Sequence, residues 1–203
     1  MEVSLVKSVV LLSGGMDSYA ALLLELGDTP SESVIALSVH YGQAHLVEIE
    51  FAKAQASRFG VRHVVSTVEI PGESKGALLG QPRRELDEDV SAFFVPFRNL
   101  LLITLGASMC QQVGARRLVL GCNLEDSQGF PDCRPDFIRY AELSLRESGY
   151  QIEISTPLVC MRKGEVGKLL HSLGGSLDQT YSCYLGTVPQ CGRCPACKGR
   201  MGE

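Results

Sequence analysis

A glycine turn between a strand-like run and a helix-like run constrains the fold of this chain more than any other feature. The segment VVLLSGGMDSYAALLLELG, residues 9–27, predicts an apolar strand, a tight turn at Gly14 and Gly15, and a helix. Backbone N–H groups in such a turn and at the start of the following helix attract anions, so the segment predicts a phosphate-binding loop. The turn contains no lysine, which a kinase-type phosphate loop requires. We therefore expect it to hold a different part of a nucleotide.

The rest of the chain alternates strand-like and helix-like runs. Apolar and β-branched residues dominate the runs that predict strands covered on both faces, at residues 4–12, 33–41, 62–70, 116–123 and 151–158. Helix-like runs lie between them, at residues 17–26, 44–59, 99–113, 135–148 and 163–173. This alternation predicts an α/β fold with a doubly wound, parallel, five-stranded sheet. Ligands of such sheets bind beyond the carboxyl ends of the strands, where the glycine turn is expected.

Three local patterns refine this prediction. Gly27 and Gly60 each follow a helix-like run, at the position where a C-terminal cap is expected. Residues 99–113 are apolar on nearly every face, which predicts a buried helix. Residues 71–95 fit neither period, and a segment of that length between core elements is typically a functional lid or partly disordered. We therefore treat residues 71–95 as a candidate lid.

The bulk composition argues against several classes of protein. With 203 residues, the chain suits one α/β domain with a small appendage, which we place at residues 1–178 and 179–203. Its formal net charge of -4 and its lack of a long lysine or arginine run argue against a nucleic-acid-binding surface as its main function. No apolar run is long enough to span a membrane, and the apolar N-terminus lacks a signal-peptide cleavage site. These features predict a cytoplasmic protein.

Half of the eight cysteines crowd the C-terminal segment. Intervals of seven, two and two residues separate Cys183, Cys191, Cys194 and Cys197. Paired C-x2-C steps let thiolates reach one tetrahedral ion, so the segment predicts a metal-binding knuckle. Four sulfur ligands leave no position for water, which favours structural zinc over catalytic zinc. An iron–sulfur cluster is the main alternative.

The hexapeptide SGGMDS, residues 13–18, resembles the SGGxDS loop of the N-type ATP pyrophosphatases, the PP-loop superfamily. The resemblance implies that the loop holds the pyrophosphate portion of ATP while AMP passes to a substrate, which accounts for the missing lysine. The positions assigned to ATP are Leu12, Ser13, Gly14, Gly15, Met16, Asp17 and Ser18. Ser13 and Ser18 offer hydroxyl hydrogen bonds, and Asp17 can help to hold Mg²⁺ or cap the helix.

The order of motifs along nearly the whole chain resembles the QueC family, the 7-cyano-7-deazaguanine synthases. After the glycine loop come YGQAH (41–45), VPFRN (95–99), GFPDCRPDF (129–137), TPL (156–158) and the cysteine-rich tail. The resemblance implies that ATP adenylates the carboxylate of 7-carboxy-7-deazaguanine, that ammonia then gives the amide, and that a second activation gives the nitrile. It also implies one zinc ion per chain and a homodimer.

Residue by residue, the resemblance assigns a substrate pocket and a set of catalytic side chains. The substrate-binding positions are Tyr41, Gln43, His45, Phe97, Arg98, Asn99, Asp126, Gly129, Phe130, Asp132 and Arg134. The catalytic positions are Ser13, Asp17, Ser18, Arg98 and Lys163. Arginine suits a carboxylate or a phosphate, and aspartate can accept hydrogen bonds from the N–H edge of a guanine-like base. A helix cap for each aspartate and a solvated ion pair for each arginine are the structural alternatives.

Departures from the family pattern surround this pocket. Ala44 stands where the family usually has arginine, Phe97 where it has glycine, Leu124 where it has glutamate, and Gly164 where it has alanine. Glycine permits an unusual dihedral angle or close backbone approach, and Phe97 adds bulk beside Arg98. The ATP loop and the cysteine-rich tail are intact, which favours retained adenylation with a different acceptor. One alternative is therefore a QueC-like protein of type IV CBASS antiphage operons, which joins the activated deazaguanine to a protein amine.

Two further functions stay open at this point. A tRNA-modifying PP-loop enzyme would need a basic surface or an added domain, which the net charge and the length disfavour. A non-catalytic protein, either a nucleotide or deazaguanine sensor or a zinc-stapled scaffold, fits the altered pocket, but the intact SGGMDS loop disfavours it. Within the ligase hypothesis, the acceptor separates nitrile synthesis, which uses ammonia, from conjugation, which uses a protein amine.

Overall fold

The computed structural model of the chain describes residues 5–43, 46–69 and 95–201. Within these ranges, a 5-stranded parallel sheet with the strand order β3-β2-β1-β4-β5 forms the centre of the fold. The strands are β1 (Ser8–Leu11), β2 (Val34–His40), β3 (Arg62–Thr67), β4 (Arg117–Val119) and β5 (Glu153–Ser155). The predicted α/β fold with a parallel sheet is confirmed. The observed strands are shorter than the predicted ones, because the ends of the predicted runs leave the sheet as loops.

Helices cover both faces of the sheet. They are α1 (Met16–Asp28), α2 (Val47–Arg58), α3 (Arg98–Val113), α4 (Leu124–Gly129), α5 (Pro135–Glu147), α6 (Lys163–Ser172) and α7 (Pro195–Met201). Short 3-10 turns lie at Ser31–Ser33, Pro131–Cys133 and Leu177–Gln179. The sequence pattern predicts neither α4 nor α7, because 6 and 7 residues are too few to show helical periodicity.

Two predictions about the helices are wrong. Helix α1 continues through Gly27, because its C-cap is Thr29, whose amide and hydroxyl donate to the carbonyl and the carboxylate of Glu25. Helix α3 is buried along one face, where Gly106 packs against the sheet, and it exposes Leu100 on another. The apolar residues on its other faces are therefore partly exposed in the described part of the chain.

The hydrophobic core lies on both faces of the sheet, as neighbouring residues of β1 show. Val10 belongs to a cluster that includes residues of α1, α2 and α6, whereas Val9 belongs to a cluster that includes residues of α3 and α5. Both side chains are fully buried, and burial of a side chain of this size stabilises the fold by about 1.5–3 kcal/mol. The sheet is therefore a rigid support for the loops at its carboxyl edge.

The strand order reverses at β1, and this reversal positions the site. The chain runs from β1 to β2 and β3 on one side, then returns to β4 and β5 on the other side. In open parallel sheets, such a reversal leaves a crevice beyond the carboxyl ends of the two strands that flank it. The glycine loop follows β1 and residues 120–123 follow β4, so both segments lie at this crevice.

Some predictions fall outside the described residues. His45, Ala44 and residues 71–94 of the candidate lid are among them, so their roles stay predictions. The proposed division of the chain at residue 178 likewise stays a prediction. In the ranges that the structure describes, no helix is long and apolar enough to cross a membrane.

Candidate active site and metal centre

A cavity of about 300 Å³ opens at the crevice between β1 and β4. Its walls come from the loops after β1, β2 and β4, from the first turns of α2, α3 and α6, and from the cysteine-rich tail. The predicted site residues that line it are Leu12, Ser13, Gly15, Asp17, Ser18, Tyr41, Gln43, Arg98, Asn99, Asp126, Phe130, Lys163 and Cys183. A concave site of this size with a few convergent polar groups is typical of small-molecule binding.

Other predicted site residues do not line this cavity. They are Gly14, Met16, Phe97, Gly129, Asp132, Arg134 and the metal-ligand candidates Cys191, Cys194 and Cys197. Met16 belongs to the core, and the Asp132 carboxylate accepts a 3.3 Å hydrogen bond from the Asn99 backbone amide. The Arg134 Nε atom donates a 3.4 Å hydrogen bond to the backbone oxygen of Ser127. These contacts hold the walls of the cavity, and the binding roles of these residues stay predictions.

Hydrogen bonds among its own residues shape the glycine loop. The Ser13 backbone amide donates to the Ser18 hydroxyl at 3.1 Å, and the Ser13 and Ser18 hydroxyl oxygens lie 3.0 Å apart. The Ser18 hydroxyl also lies 3.2 Å from the Gly15 carbonyl oxygen, to which it donates. Gly15 is the N-cap of α1, and no side chain caps the helix there. The first amides of α1 are therefore available to an anion.

Two glycines let other backbone segments approach this loop closely. Gly14 has a φ angle of +84°, and a Cβ atom there would lie 2.1 Å from the backbone oxygen of Glu48. A Cβ atom on Gly121 would lie 2.7 Å from the backbone nitrogen of Ser18. Both distances are shorter than any real Cβ contact, so α2 and the loop after β4 pack against the glycine loop only because both residues are glycine.

Lys163 supplies the cation that the glycine loop itself lacks. Its Nζ atom lies 3.2 Å from the Asp17 carboxylate, and both side chains are only partly exposed, 26% for Lys163 and 20% for Asp17. Burial acts to lower the pKa of Lys163, but the carboxylates of Asp17 and Asp126 outweigh it, so the net pKa is raised. The ammonium group is therefore charged at neutral pH. The Lys163 backbone amide donates to Glu125, which fixes the start of α6.

Asn123, which the sequence analysis does not single out, connects Asp17 to Asp126. Its Nδ2 atom donates to Asp17 at 3.1 Å, and its Oδ1 atom accepts from the Asp126 backbone amide at 2.9 Å. The Asp126 carboxylate accepts in turn from the Asn123 backbone amide, which completes a capping box at the start of α4. The three-residue spacing of Asn123 and Asp126 is a capping-box pattern, and it is the sequence signal that could have predicted α4.

Arg98 is the second fixed cation of the cavity. Burial opposes its charge, but interactions with Tyr41, Tyr184 and Asp132 outweigh this effect, so the pKa of Arg98 is raised. The side chain lies at the first position of α3, beside the buried Asn99. A permanently charged guanidinium at this position can bind a carboxylate or a phosphate oxygen.

Phe97, the residue before Arg98, has an unusual backbone conformation. Its φ and ψ angles are 60° and 12°, in the left-handed region that favours glycine. Its side chain is 75% exposed. Phe97 therefore adopts a backbone conformation that suits glycine, the residue expected here from the family motif, and its aromatic ring lies on the surface.

Glu48, Tyr181 and Tyr184 also line the cavity, although the sequence analysis does not select them. Glu48 lies in the first turn of α2, where an acidic residue is expected to stabilise the helix dipole whatever its function. The two tyrosines flank Cys183, so the metal motif dominates the sequence around them. The sequence thus gives no separate signal for these three residues.

The cysteine quartet forms a compact candidate metal centre. The Sγ atoms of Cys183, Cys191, Cys194 and Cys197 all lie within 4.8 Å of one another. Cys191 and Cys197 have an Sγ–Sγ distance of 3.8 Å, and Zn–S bonds of about 2.3 Å in a tetrahedron separate sulfurs by about 3.8 Å. The backbone amide of Cys194 donates a hydrogen bond to the Cys191 sulfur at 3.4 Å, which fixes the position of that sulfur. The donor set therefore fits a tetrahedral, thiophilic ion.

This metal centre adjoins the glycine loop rather than a remote surface. The Tyr181 backbone amide donates to the Gly14 carbonyl oxygen at 2.9 Å. The Gln55 Nε2 atom donates to the same oxygen at 3.0 Å and to the Gln179 backbone oxygen at 2.7 Å. The Phe51 and Tyr181 rings pack with a centroid distance of 5.7 Å. The tail therefore fixes the back of the glycine loop.

Sequence comparison shows relatives along nearly the whole chain. The family described as queuosine biosynthesis protein QueC matches residues 7–202. The chain is 35% identical over 204 residues to the 7-cyano-7-deazaguanine synthase of Oceanobacillus iheyensis, covering 96% of this chain and 91% of the relative. It is 38% identical over 207 residues to the protein of the same name from Parasynechococcus marenigrum, covering 95% of this chain and 90% of the relative.

Solved structures of more distant proteins share the fold. The U34-tRNA thiolase NcsA from Methanococcus maripaludis with its 4Fe–4S cluster has a TM-score of 0.55 at 20% identity, covering 84% of this chain and 58% of that chain. NMN synthetase from Francisella tularensis has a TM-score of 0.54 at 16% identity, covering 88% of this chain and 66% of that chain. At these identities the likeness extends to the fold alone.

Proposed function

Since the chain belongs to the QueC family, we propose that it is an ATP-dependent ligase that adenylates the carboxylate of 7-carboxy-7-deazaguanine. Ammonia then attacks the activated carboxylate, and the product is the amide and, after a second activation, the nitrile. The observation that carries this proposal is the meeting of the glycine loop, Lys163 and Arg98 in one cavity. In such a site, backbone amides of the glycine loop can bind pyrophosphate and Lys163 can neutralise its charge. Arg98 can bind the substrate carboxylate.

The glycine loop and Lys163 suit the departure of pyrophosphate. The uncapped first turn of α1 can receive phosphate oxygens, and the Lys163 ammonium can neutralise charge as it develops on them. Asp17 and Asp126 offer the carboxylate oxygens that Mg²⁺ prefers, so this set fits a magnesium ion. Magnesium, when bound, neutralises phosphate charge. No lysine is needed inside the loop, because Lys163 reaches Asp17 from α6.

Arg98 and Asp126 suit the deazaguanine carboxylate and base. Arg98 can hold the substrate carboxylate through charge-assisted hydrogen bonds, and Asp126 can accept from the N–H edge of the base. Both side chains line the same cavity as Ser13 and Ser18. The carboxylate and the α-phosphate of ATP can therefore meet between the glycine loop and α3, where positioning supplies much of the catalysis.

Adenylation solves a chemical problem that the carboxylate presents. Its oxygen is a poor leaving group, so an amine does not displace it. Attack of the carboxylate oxygen on the α-phosphorus forms a new O–P bond and releases pyrophosphate. The amine then forms a C–N bond at the carboxyl carbon, and AMP departs with the oxygen through which it was joined.

The cysteine quartet is proposed to hold structural zinc. Four sulfur donors with tetrahedral spacing fit zinc, and a closed set of this kind leaves no position for water. Zinc, when bound, cross-links the tail. The residues of the tail then hold the back of the glycine loop through the Tyr181–Gly14 hydrogen bond.

A protein amine is the second candidate acceptor, as in QueC-like proteins of type IV CBASS operons. The observation that favours it is the exposed ring of Phe97 beside Arg98, where the family pattern has glycine. An aromatic ring on the surface beside the cavity offers an apolar contact to an approaching polypeptide.

Product mass spectrometry tests the function and separates the acceptors. The protein receives Mg-ATP and 7-carboxy-7-deazaguanine, with ammonium in one sample and a candidate partner protein in another. AMP with the amide or the nitrile in the ammonium sample supports the proposed ligase. A mass added to the partner protein, with little free nitrile, supports conjugation. Absence of AMP in both samples would contradict adenylation of this substrate.

A further inference from the structure

Glu48 is a carboxylate in the wall of the cavity that adenylation does not use. It lies in the first turn of α2, and it lines the same cavity as Ser13 and Arg98. Its Oε1 atom accepts a 3.1 Å hydrogen bond from the Gln43 Nε2 atom. Glu48 therefore has a defined position in the site, and its chemistry there is unassigned.

Contacts from two directions fix this position. The Gln43 side chain is 6% exposed, accepts from the Tyr41 backbone amide at 2.7 Å and donates to the Val39 backbone oxygen at 3.1 Å. The backbone oxygen of Glu48 packs directly against Gly14 of the glycine loop. Gln43 thus fixes the carboxylate of Glu48, and the glycine loop packs against its backbone.

Three ionisable side chains interact electrostatically with the Glu48 carboxylate. They are Arg98 from α3, Tyr41 from the loop after β2 and Tyr181 from the tail. Within residues 5–43, 46–69 and 95–201, no cation lies at ion-pair distance from the Glu48 carboxylate. Burial raises the pKa of Glu48 to about 7, although the Gln43 hydrogen bond and the Arg98 charge both act to lower it. A general base works best with a pKa near the working pH.

The second half-reaction requires such a base. An ammonia molecule that attacks the adenylated carboxylate becomes a positively charged substituent and must lose a proton before AMP departs. We propose that Glu48 is the base that accepts this proton, an inference that rests on the proposed adenylation and extends it to the amine-transfer step.

The atoms of this step balance. The nitrogen lone pair forms the C–N bond, and the carbonyl π electrons move to oxygen. The Glu48 carboxylate takes one N–H proton, the carbonyl reforms, and the C–O bond to AMP breaks with its electron pair on the AMP oxygen. The products are the amide, AMP and protonated Glu48, which returns its proton to water.

The test compares wild-type protein with Glu48→Gln, which preserves side-chain shape and can still accept from Gln43. Glu50→Gln, an exposed position on the same helix, is the matched control. Amide formation is followed from pH 6 to about 9 with free ammonia held constant, and pyrophosphate release is followed separately in a single turnover without ammonium.

Three results are expected. Wild-type and Glu50→Gln amide formation fall as the pH drops below about 7. Glu48→Gln forms amide about 10²-fold more slowly and lacks that pH dependence. Its single-turnover pyrophosphate release stays within about threefold of wild type, because adenylation precedes the proton transfer.

Other results would overturn the inference. If Glu48→Gln forms amide at the wild-type rate, Glu48 is not the base. The same conclusion follows if the variant keeps the fall in rate at low pH. An equal loss of pyrophosphate release and amide formation would show a structural role. If wild-type protein releases no pyrophosphate with this substrate, the proposed function fails, and the role of Glu48 fails with it.

Discussion

The backbone amide of Tyr181 donates a 2.9 Å hydrogen bond to the carbonyl oxygen of Gly14. Tyr181 stands two positions before the metal-ligand candidate Cys183, and Gly14 is the residue at which the glycine loop turns. The candidate metal centre and the candidate ATP site are therefore joined through backbone atoms. A metal that organises the tail also organises the loop, so its removal has consequences for nucleotide binding.

Metal removal is expected to weaken ATP binding. We expect chelation of the metal proposed for the cysteine quartet to release the tail from the glycine loop and to raise the Kd for ATP by about tenfold or more. Isothermal titration calorimetry on metal-loaded and chelated protein, with metal content measured in parallel, checks this. Cys160→Ser is the matched control, because Cys160 is exposed and lies outside the quartet. An unchanged Kd after complete metal loss would contradict the coupling.

Loss of the Lys163 charge is expected to slow adenylation. Lys163→Met removes the ammonium group beside Asp17, and the lost stabilisation of developing phosphate charge lowers kcat/KM for ATP by about 10²-fold. The rate of pyrophosphate release measures the effect. Lys168→Met, at an exposed position of the same helix, is expected to retain wild-type kinetics. Equal kinetics in both variants would show that Lys163 has no part in the phosphate chemistry.

Phe97→Gly is expected to stabilise the fold. Phe97 has a φ angle of 60°, and a left-handed conformation costs a residue with a side chain about 1–2 kcal/mol. Its ring is 75% exposed, so its removal forfeits little burial. We expect the free energy of unfolding to rise by about 1 kcal/mol in urea denaturation, after subtraction of the backbone entropy that glycine loses.

Phe97→Ala separates the backbone effect from the ring effect. Alanine has a Cβ atom, so it retains the backbone strain, and its free energy of unfolding is expected to stay near that of wild type. A lower stability for Phe97→Gly than for Phe97→Ala would show that the backbone at this position is not strained.

Stability is expected to depend on pH through Glu48. Its pKa is raised from 4.5 to about 7 in the folded state, so the folded state binds the proton more tightly than the unfolded state does. The stability that this proton provides is fully present below pH 4.5 and is lost as the pH rises to about 7. Glu48→Gln has no such loss. Its free energy of unfolding should therefore exceed that of wild type by about 3 kcal/mol at pH 8 and lie close to it near pH 4.5.

Urea denaturation at several pH values measures this difference, with Glu50→Gln as the control. A difference between Glu48→Gln and wild type that is constant across the pH range would contradict the raised pKa.

The sequence predicts the parts of this molecule that depend on local patterns. Strand–helix alternation predicts the parallel sheet, the SGGMDS turn predicts the loop after β1, and cysteine spacing predicts the compact quartet. Each strand-like or helix-like run, the turn and the cysteine spacing are local features of the sequence. The prediction at Gly27 failed because the Thr29–Glu25 contacts, rather than a glycine, end α1.

Long-range packing determines the rest. Nothing in the sequence around Glu48 distinguishes a carboxylate in the cavity from an acidic residue at the start of a helix. Asn123 reaches Asp17 only because Gly121 lets the loop after β4 approach α1. Tyr181 reaches Gly14 only because the tail folds back against α2. Such contacts bring together residues that are far apart in sequence, so no local pattern reports them.

Isotope transfer tests the central claim, adenylation of a carboxylate, most directly. 7-Carboxy-7-deazaguanine labelled with heavy oxygen in its carboxylate is incubated with Mg-ATP, ammonium and the protein, and the AMP is analysed by mass spectrometry. The proposed chemistry predicts AMP that carries one heavy oxygen from the carboxylate. This is because the bond between the carboxyl carbon and the bridging oxygen breaks, and that oxygen stays on the phosphorus of AMP. Unlabelled AMP, or ADP in place of AMP, would contradict it.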